Sequence, residues 1–495
     1  MMENAVVQSQ STNQPDFAAG RPVVFRHATV LTMDSAGIIT DGDVLVVGEK
    51  IAGVGRNLEV PEGTVEIDAR DGILMPGMID THRHLWQTAM RGYGGDWSLS
   101  QYFVFYYLSW GKLFRPQDIF AGNLLGAIEA IDSGVTTTLD WSHGLQTTEH
   151  AEAAIEALQA VPGRFVLGYG NLLGAPWEWS TAPEFRSFVD RHFSSPDDML
   201  GLQLAFDVTG QPEFPEQAAF EVARDLDLAV TTHAGVWGAT TDDGIVQMSE
   251  HGFMTPRVTY VHSATLTQDS YQRIAASGGN VSVSAESEDS AGQGYPCTYE
   301  LRRHGIPVSL SMDTSVWWSA DVFSAMRATI NADRARGHLD AHGRNETVVG
   351  NDVRAEDVVR YATVGGAHAL GLQDSVGTLT VGKKADIVLI KNDESPTMTP
   401  ILNPYAHVVF QAGRGDVHTV MVNGRVVKYH GHRLAGNLAQ AKDAVADTVD
   451  YLRSSMGEEA WAEGMTPELP PAELITNPYS YTEWDGGDRL VRAEE

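Results

Sequence analysis

A chain of 495 residues, 43% apolar and 20% charged, is long enough for two or three globular domains. It contains no run of about 18 apolar residues to span a bilayer, and a formal charge of −31 argues against nucleic acid and membrane surfaces as partners. Its single cysteine, Cys297, cannot form an internal disulfide; that suits a reducing, cytoplasmic setting, and the neutral neighbours of Cys297 mark it as a structural thiol.

Residues 1–21 lack the basic start and apolar run of a secretory signal and read as a disordered lead. Over 22–70, short β-rich runs (VVFRHATVLTM, GDVLVVGEKIAGVG, TVEIDA) broken by Gly, Asp and Asn predict one part of a small antiparallel β domain. Over 71–372, eight apolar runs alternate with helical stretches: ILMPGMIDTH, TTTLDWSH, FVLGYGN, LGLQLAFDV, AVTTHAG, TYVHSA, VSVSAES and PVSLSMDT. At ~37 residues per unit they fit an α/β fold of the (β/α)8 TIM-barrel type, although an open doubly wound sheet has the same periodicity. The β pattern returns over 373–430, with Asn423-Gly424 as a hairpin turn, so both chain ends build one small β-sandwich domain. Residues 431–495 begin with a helix (LAQAKDAVADTVDYLRSSM) and end as an extended arm.

The first apolar run of the barrel ends in His82-Arg83-His84. Residues i and i+2 of a strand point to one side, so both imidazoles can meet one metal ion. His233, His262 and Asp313 end later runs, and their spacing places them on strands five, six and eight, with the His-x-His on strand one. The C-terminal strand ends of such a barrel open onto one face, where sites assemble. Neutral imidazoles and a carboxylate suit a divalent transition metal, Zn2+ before Fe2+.

With the segments PGMIDTHRH, GVTTTLD and VGTLTVGKKADIVLI, residues 22–430 resemble the metal-dependent amidohydrolase superfamily, in the deaminase and chlorohydrolase branch of cytosine, guanine and 8-oxoguanine deaminases and triazine hydrolases. The resemblance implies that His82, His84, His233 and Asp313 ligate the metal, that His262 orients the attacking water and leaving group, and that Asp313 takes a proton from the water. Some members bridge two metals with a carboxylated lysine on strand four. No lysine lies between Lys112 and Lys383, so one metal is expected. The branch usually carries His-x-x-Glu on strand five, whereas this chain has His233-Ala234-Gly235-Val236, and valine cannot shuttle protons. Glu286 and Glu288, just after the seventh run, are the candidate replacements.

Trp86 and Gln87 follow the metal motif directly and are expected to contact substrate, Gln87 at a position resembling the ring-binding glutamine of guanine-type deaminases. His143 and Asp140, at the end of strand two, are further candidates to hydrogen-bond it. Other aromatics near strand ends, among them Trp97, Tyr102, Trp237 and Trp317, suit an apolar pocket for a flat ring. The expected activity is hydrolysis of a non-peptide C–N bond in a small aromatic or heterocyclic compound, by deamination or by amide, urea or carbamate cleavage, in a homo-oligomer. Two alternatives stand beside it: displacement of a halide or thiolate, which needs less protonation and tolerates Val236, and an inactive metal-binding assembly protein.

Overall fold

The computed structural model describes residues 15–17, 20–194, 199–236 and 239–469. Most of the expected N-terminal lead, the end of the C-terminal arm and Trp237 lie outside the described residues.

Eight parallel strands form one sheet in sequence order: β1 (Met78–Arg83), β2 (Val135–Ser142), β3 (Arg164–Tyr169), β4 (Leu200–Ala205), β5 (Ala229–Ala234), β6 (Val258–His262), β7 (Asn280–Val283) and β8 (Val308–Leu310). Most of their residues are buried, as expected of parallel strands covered on both faces. Helices such as Pro116–Asp132, Thr148–Gln159 and Gln268–Ser277 make the crossovers. The sequence marks their ends. Thr267 accepts a hydrogen bond from the Ser270 backbone N–H to start Gln268–Ser277, and Gly278 stops it at φ 73°, a left-handed position that suits glycine.

The sheet closes on itself where the segment after β8 meets β1. There the Asp313 N–H donates to the His82 carbonyl (3.1 Å) and the His84 N–H donates to the Asp313 carbonyl (2.8 Å). Nearby, Thr81 Oγ1 lies within hydrogen-bond distance of Ser282 Oγ (2.7 Å) and Ser309 Oγ (2.9 Å), tying β1 to β7 and β8. An open doubly wound sheet is thereby ruled out.

A second, nine-stranded sheet is drawn from both chain ends and encloses its own apolar core. It is mostly antiparallel, but Val23–Leu31 pairs in parallel with Val65–Asp68 and Ile73–Pro76, which corrects the expectation of a purely antiparallel sheet. The run ILMPGMIDTH is accordingly two strands. Ile73–Pro76 pairs with Ile387–Ile390 in the second sheet, and the barrel begins only at Met78. Between them the chain passes so close to Thr136 that a Cβ on Gly77 would sit 2.1 Å from its Oγ1. Asn423 and Gly424 both have positive φ (48° and 78°), as a two-residue hairpin turn of this hand requires. The helix Leu438–Met456 docks on Pro116–Asp132, with Thr448 Oγ1 donating to Asp118 Oδ1 (2.8 Å). Among the described residues no helix is long and apolar enough to cross a membrane.

The two sheets are joined by a buried ion pair, Arg164 at the start of β3 with Asp386 before Ile387–Ile390 (3.1 Å). Asp386 also accepts from the Asn423 N–H (2.8 Å), so its carboxylate serves both partners. Asp386→Ala removes the carboxylate facing a buried guanidinium and is expected to cost about 3–5 kcal/mol. A lowered urea midpoint would register that loss; an unchanged midpoint would show that the junction does not depend on the pair.

Candidate active site

The strand ends gather four imidazoles and a carboxylate. His82 and His84 come from the end of β1, His233 from β5, His262 from the last residue of β6, and Asp313 from the segment after β8. Asp313 Oδ1 lies 3.4 Å from Nε2 of both His82 and His84. The His82 ring centroid is 4.6 Å from that of His84, 4.9 Å from His233 and 5.6 Å from His262. His262, Ser263 and Asp313 have φ of 69°, 59° and 55°, a strained conformation for residues other than glycine that clusters at functional sites.

Three of the imidazoles are fixed in one tautomer by an acceptor on an adjacent strand. His84 Nδ1 donates to the Trp141 carbonyl of β2 (2.7 Å), His233 Nδ1 to Asp207 Oδ1 just beyond β4 (2.8 Å), and His262 Nδ1 to Glu288 Oε1 beyond β7 (3.1 Å). A carbonyl or carboxylate acceptor requires the proton on Nδ1, which leaves Nε2 of each ring as a lone pair. Neither ring nitrogen of His82 nor Asp313 Oδ2 has a hydrogen-bond partner among the described residues, although all three atoms are buried. Burial pushes the His84 imidazole down to about 4 and His82 well below its ordinary value. Burial raises Asp313, but the neighbouring His82, His262 and His84 imidazoles outweigh it and hold the carboxyl well below its usual range. At His233 burial acts downward, yet the Asp207 carboxylate prevails and raises its pKa. Ligand atoms of His82, His84 and His233, and likewise of His82, His262 and Asp313, lie within 4.8 Å of one another. Buried, partnerless nitrogen and oxygen atoms on converging side chains fit a divalent ion.

Beside the cluster is a cavity of about 220 Å3. Leu99, Tyr102, Phe103, Val208, Val236 and Trp317 form its apolar wall, while His143, Thr209 and Gln293 join His84, His233, His262, Asp207 and Asp313 on its polar side. Val236 thus stands in the cavity wall where the branch carries glutamate.

The other expected site residues are placed differently. His143 reaches the cavity, but Trp86 does not: it is buried between Tyr106 and Phe114, with its Nε1 donating to His143 Nδ1 (3.4 Å). Gln87 spends its amide internally, donating to the Tyr102 hydroxyl (2.6 Å) and accepting from Thr314 Oγ1 (2.6 Å). The cause is the short 3-10 helix Leu85–Met90, whose residues are all buried. Asp140 is buried as well, accepting from the Leu85 N–H (3.0 Å) and Asn123 Nδ2 (2.8 Å), and it anchors the metal-motif loop instead of facing substrate. Glu288 meets His262 and stands behind it. Glu286 turns away toward Ser324 and Asp321. Cys297 is buried, its thiol donating to the His262 carbonyl (3.1 Å), and burial pushes it well above its ordinary value. Sequence reasoning missed Asp207, although it is the one charged residue of the LGLQLAFDV run and lies near its end, at the same rim of the barrel.

A closed (β/α)8 barrel with such a cluster at its strand ends defines the metal-dependent barrel hydrolases. The chain belongs to the amidohydrolase family, whose model matches residues 73–427. It is 26% identical over 449 residues to the 5-methylthioadenosine/S-adenosylhomocysteine deaminase 1 of Syntrophus aciditrophicus (strain SB), covering 87% of this chain and 97% of that protein. It is also 26% identical over 424 residues to the 5'-deoxyadenosine deaminase of Methanosarcina mazei, covering 82% and 92%. Among solved structures, an adenosine deaminase from Xanthomonas campestris with bound zinc superposes with a TM-score of 0.75 at 20% identity, covering 88% of this chain and 99% of that one. Atrazine chlorohydrolase from Arthrobacter aurescens TC1 complexed with zinc gives 0.73 at 22% identity, covering 87% and 100%. At those identities the structural likeness shows the fold.

Burial, opposed in part by Ser324, pushes the Glu286 carboxyl up to about 6. A carboxyl raised in the folded state favours folding below its unfolded pKa, and that benefit is lost as pH rises through about 4.5 to 6. Glu286→Gln removes the penalty, so the variant should match wild type near pH 4 and exceed it above pH 7 by up to about 2 kcal/mol. Denaturation at several pH values checks this; a stability difference that does not change with pH would refute it.

Proposed function

We propose that the chain is a mononuclear metal-dependent hydrolase, with zinc as the preferred ion, that cleaves a non-peptide C–N bond of a small aromatic or heterocyclic compound. The observation that carries this reading is the convergence of His82, His84, His233 and Asp313 beside a mainly apolar cavity. The deaminase names of the curated relatives support the bond type. The lone buried cysteine supports a cytoplasmic setting.

His82, His84, His233 and Asp313 would hold the ion. When bound, it supplies Lewis acidity, which brings the ionisation of water toward neutral pH. Asp313, ionised in its cluster, accepts the proton that water gives up. His262 faces the cavity and serves the leaving group, with its ring held by Glu288. Burial raises the Glu288 carboxyl. Glu288 touches the cavity only through His262, so it is a positioning residue: it holds the imidazole with its Nε2 lone pair toward Asp313 and the cavity, where it takes the proton that Asp313 received from water and returns it to the departing amine. With Val236 in the wall, the His262–Glu288 pair takes over the work that a strand-five glutamate does elsewhere in the branch.

Val236 also favours a second reading, in which a leaving group such as halide or thiolate departs without protonation. The two readings separate on one pair of measurements. Elemental analysis should find about one transition metal per chain, lost in His233→Ala and in Asp313→Ala. Glu288→Gln should keep the metal, lower kcat by at least ~10²-fold on an amine substrate and shift the acidic limb of the pH profile. Full activity of Glu288→Gln, with rates that track leaving-group pKa, would favour the second reading.

A further inference from the structure

The cavity beside the metal cluster has a neighbour. A second hollow of about 460 Å3 lies against it, lined by Asp96, Trp97, Ser98, Gln101 and Trp318 among others. Three stretches of chain divide the two spaces. Leu99 and Tyr102 face the inner cavity while Ser98 and Gln101 face the outer hollow; Gln293 faces inward while Ala291 and Gly292 face outward; and Trp317 borders both. The Trp317 ring packs against Tyr102 with centroids 4.8 Å apart, and its Nε1 is buried with no hydrogen-bond partner among the described residues. The partition at Trp317 is therefore held by packing alone.

The inner cavity is small. Pockets that bury a drug-sized ligand usually measure about 300–1,000 Å3, and this one measures about 220 Å3. None of the described residues lining it is lysine or arginine, so an anionic group on a substrate would find no cationic side chain there. Gln293, which is buried, lines the wall with its side-chain amide and offers a hydrogen bond to a ring heteroatom or carbonyl.

We infer that Trp317 is the specificity-determining residue of this site: it restricts the substrate to a compact, neutral, flat ring without a sugar-sized substituent, and its removal would join the two hollows and admit such a substituent. The inference rests on the reading that the cavity holds the ring whose C–N bond is cleaved. It sets this chain apart from relatives named for nucleoside substrates.

The test separates binding from chemistry. Calorimetry on the zinc-loaded enzyme with hypoxanthine, 9-methylhypoxanthine, inosine and 5′-methylthioinosine reports binding alone, because these compounds carry no leaving amine. Wild type should bind the first two at least ~10-fold more tightly than the last two, the range that pocket shape can supply. Trp317→Ala should tighten inosine and 5′-methylthioinosine relative to hypoxanthine by a similar factor. Trp317→Leu, which keeps an apolar side chain, should do the same if the alanine variant fails to fold. Turnover of the matching 6-amino series is measured separately. Size-selective binding with no amine release would sustain the inference and refute C–N hydrolysis on this ring system. Equal binding of inosine by wild type, or no gain in either variant, would overturn the inference while leaving C–N hydrolysis to stand on its own measurement.

Discussion

Asp313 closes the barrel and completes the cluster of imidazoles and carboxylate at once. Its backbone is bonded to His82 on one side and His84 on the other (3.1 and 2.8 Å), and its carboxylate oxygen lies 3.4 Å from both imidazoles. The barrel cannot close in this register without bringing the β8 carboxylate to the β1 histidines. The two backbone bonds in turn hold Asp313 at its strained positive φ.

The same economy governs the other histidines. Each is oriented from an adjacent strand: His84 by Trp141 of β2, His233 by Asp207 beyond β4, and His262 by Glu288 beyond β7. Parallel order along the sheet thus becomes chemical order at its rim. A displacement of β2, β4 or β7 would therefore release an imidazole that stands on a neighbouring strand. Removing an acceptor of this kind commonly costs ~10–100-fold in metal affinity or activity.

The barrel and its cluster were legible in the sequence because both follow from simple periods. Eight apolar runs of suitable spacing give the strands, and a polar residue at the end of a run reaches the rim. What was not legible depended on direction within irregular backbone. Trp86 and Gln87 follow the motif in sequence, but a 3-10 helix turns both into the packing behind it. Glu286 and Glu288 looked equivalent as loop charges, yet they lie in the helix Ala285–Ala291, where positions two apart face different ways, so only Glu288 meets His262. The division of ILMPGMIDTH turned on one close contact, Gly77 against Thr136, that no local pattern encodes.

The pairing of Ile73–Pro76 between Val23–Leu31 and Ile387–Ile390 has a consequence for biosynthesis. The early strand emerges from the ribosome long before its antiparallel partner is made. At ~5–20 residues per second the interval is on the order of 15–60 s. Through that time the edge of the nascent β sheet carries unmatched backbone groups beside an apolar face, the kind of surface that invites association between chains. Because the barrel is translated during the same interval, that edge stays open to self-pairing until Ile387–Ile390 has been made.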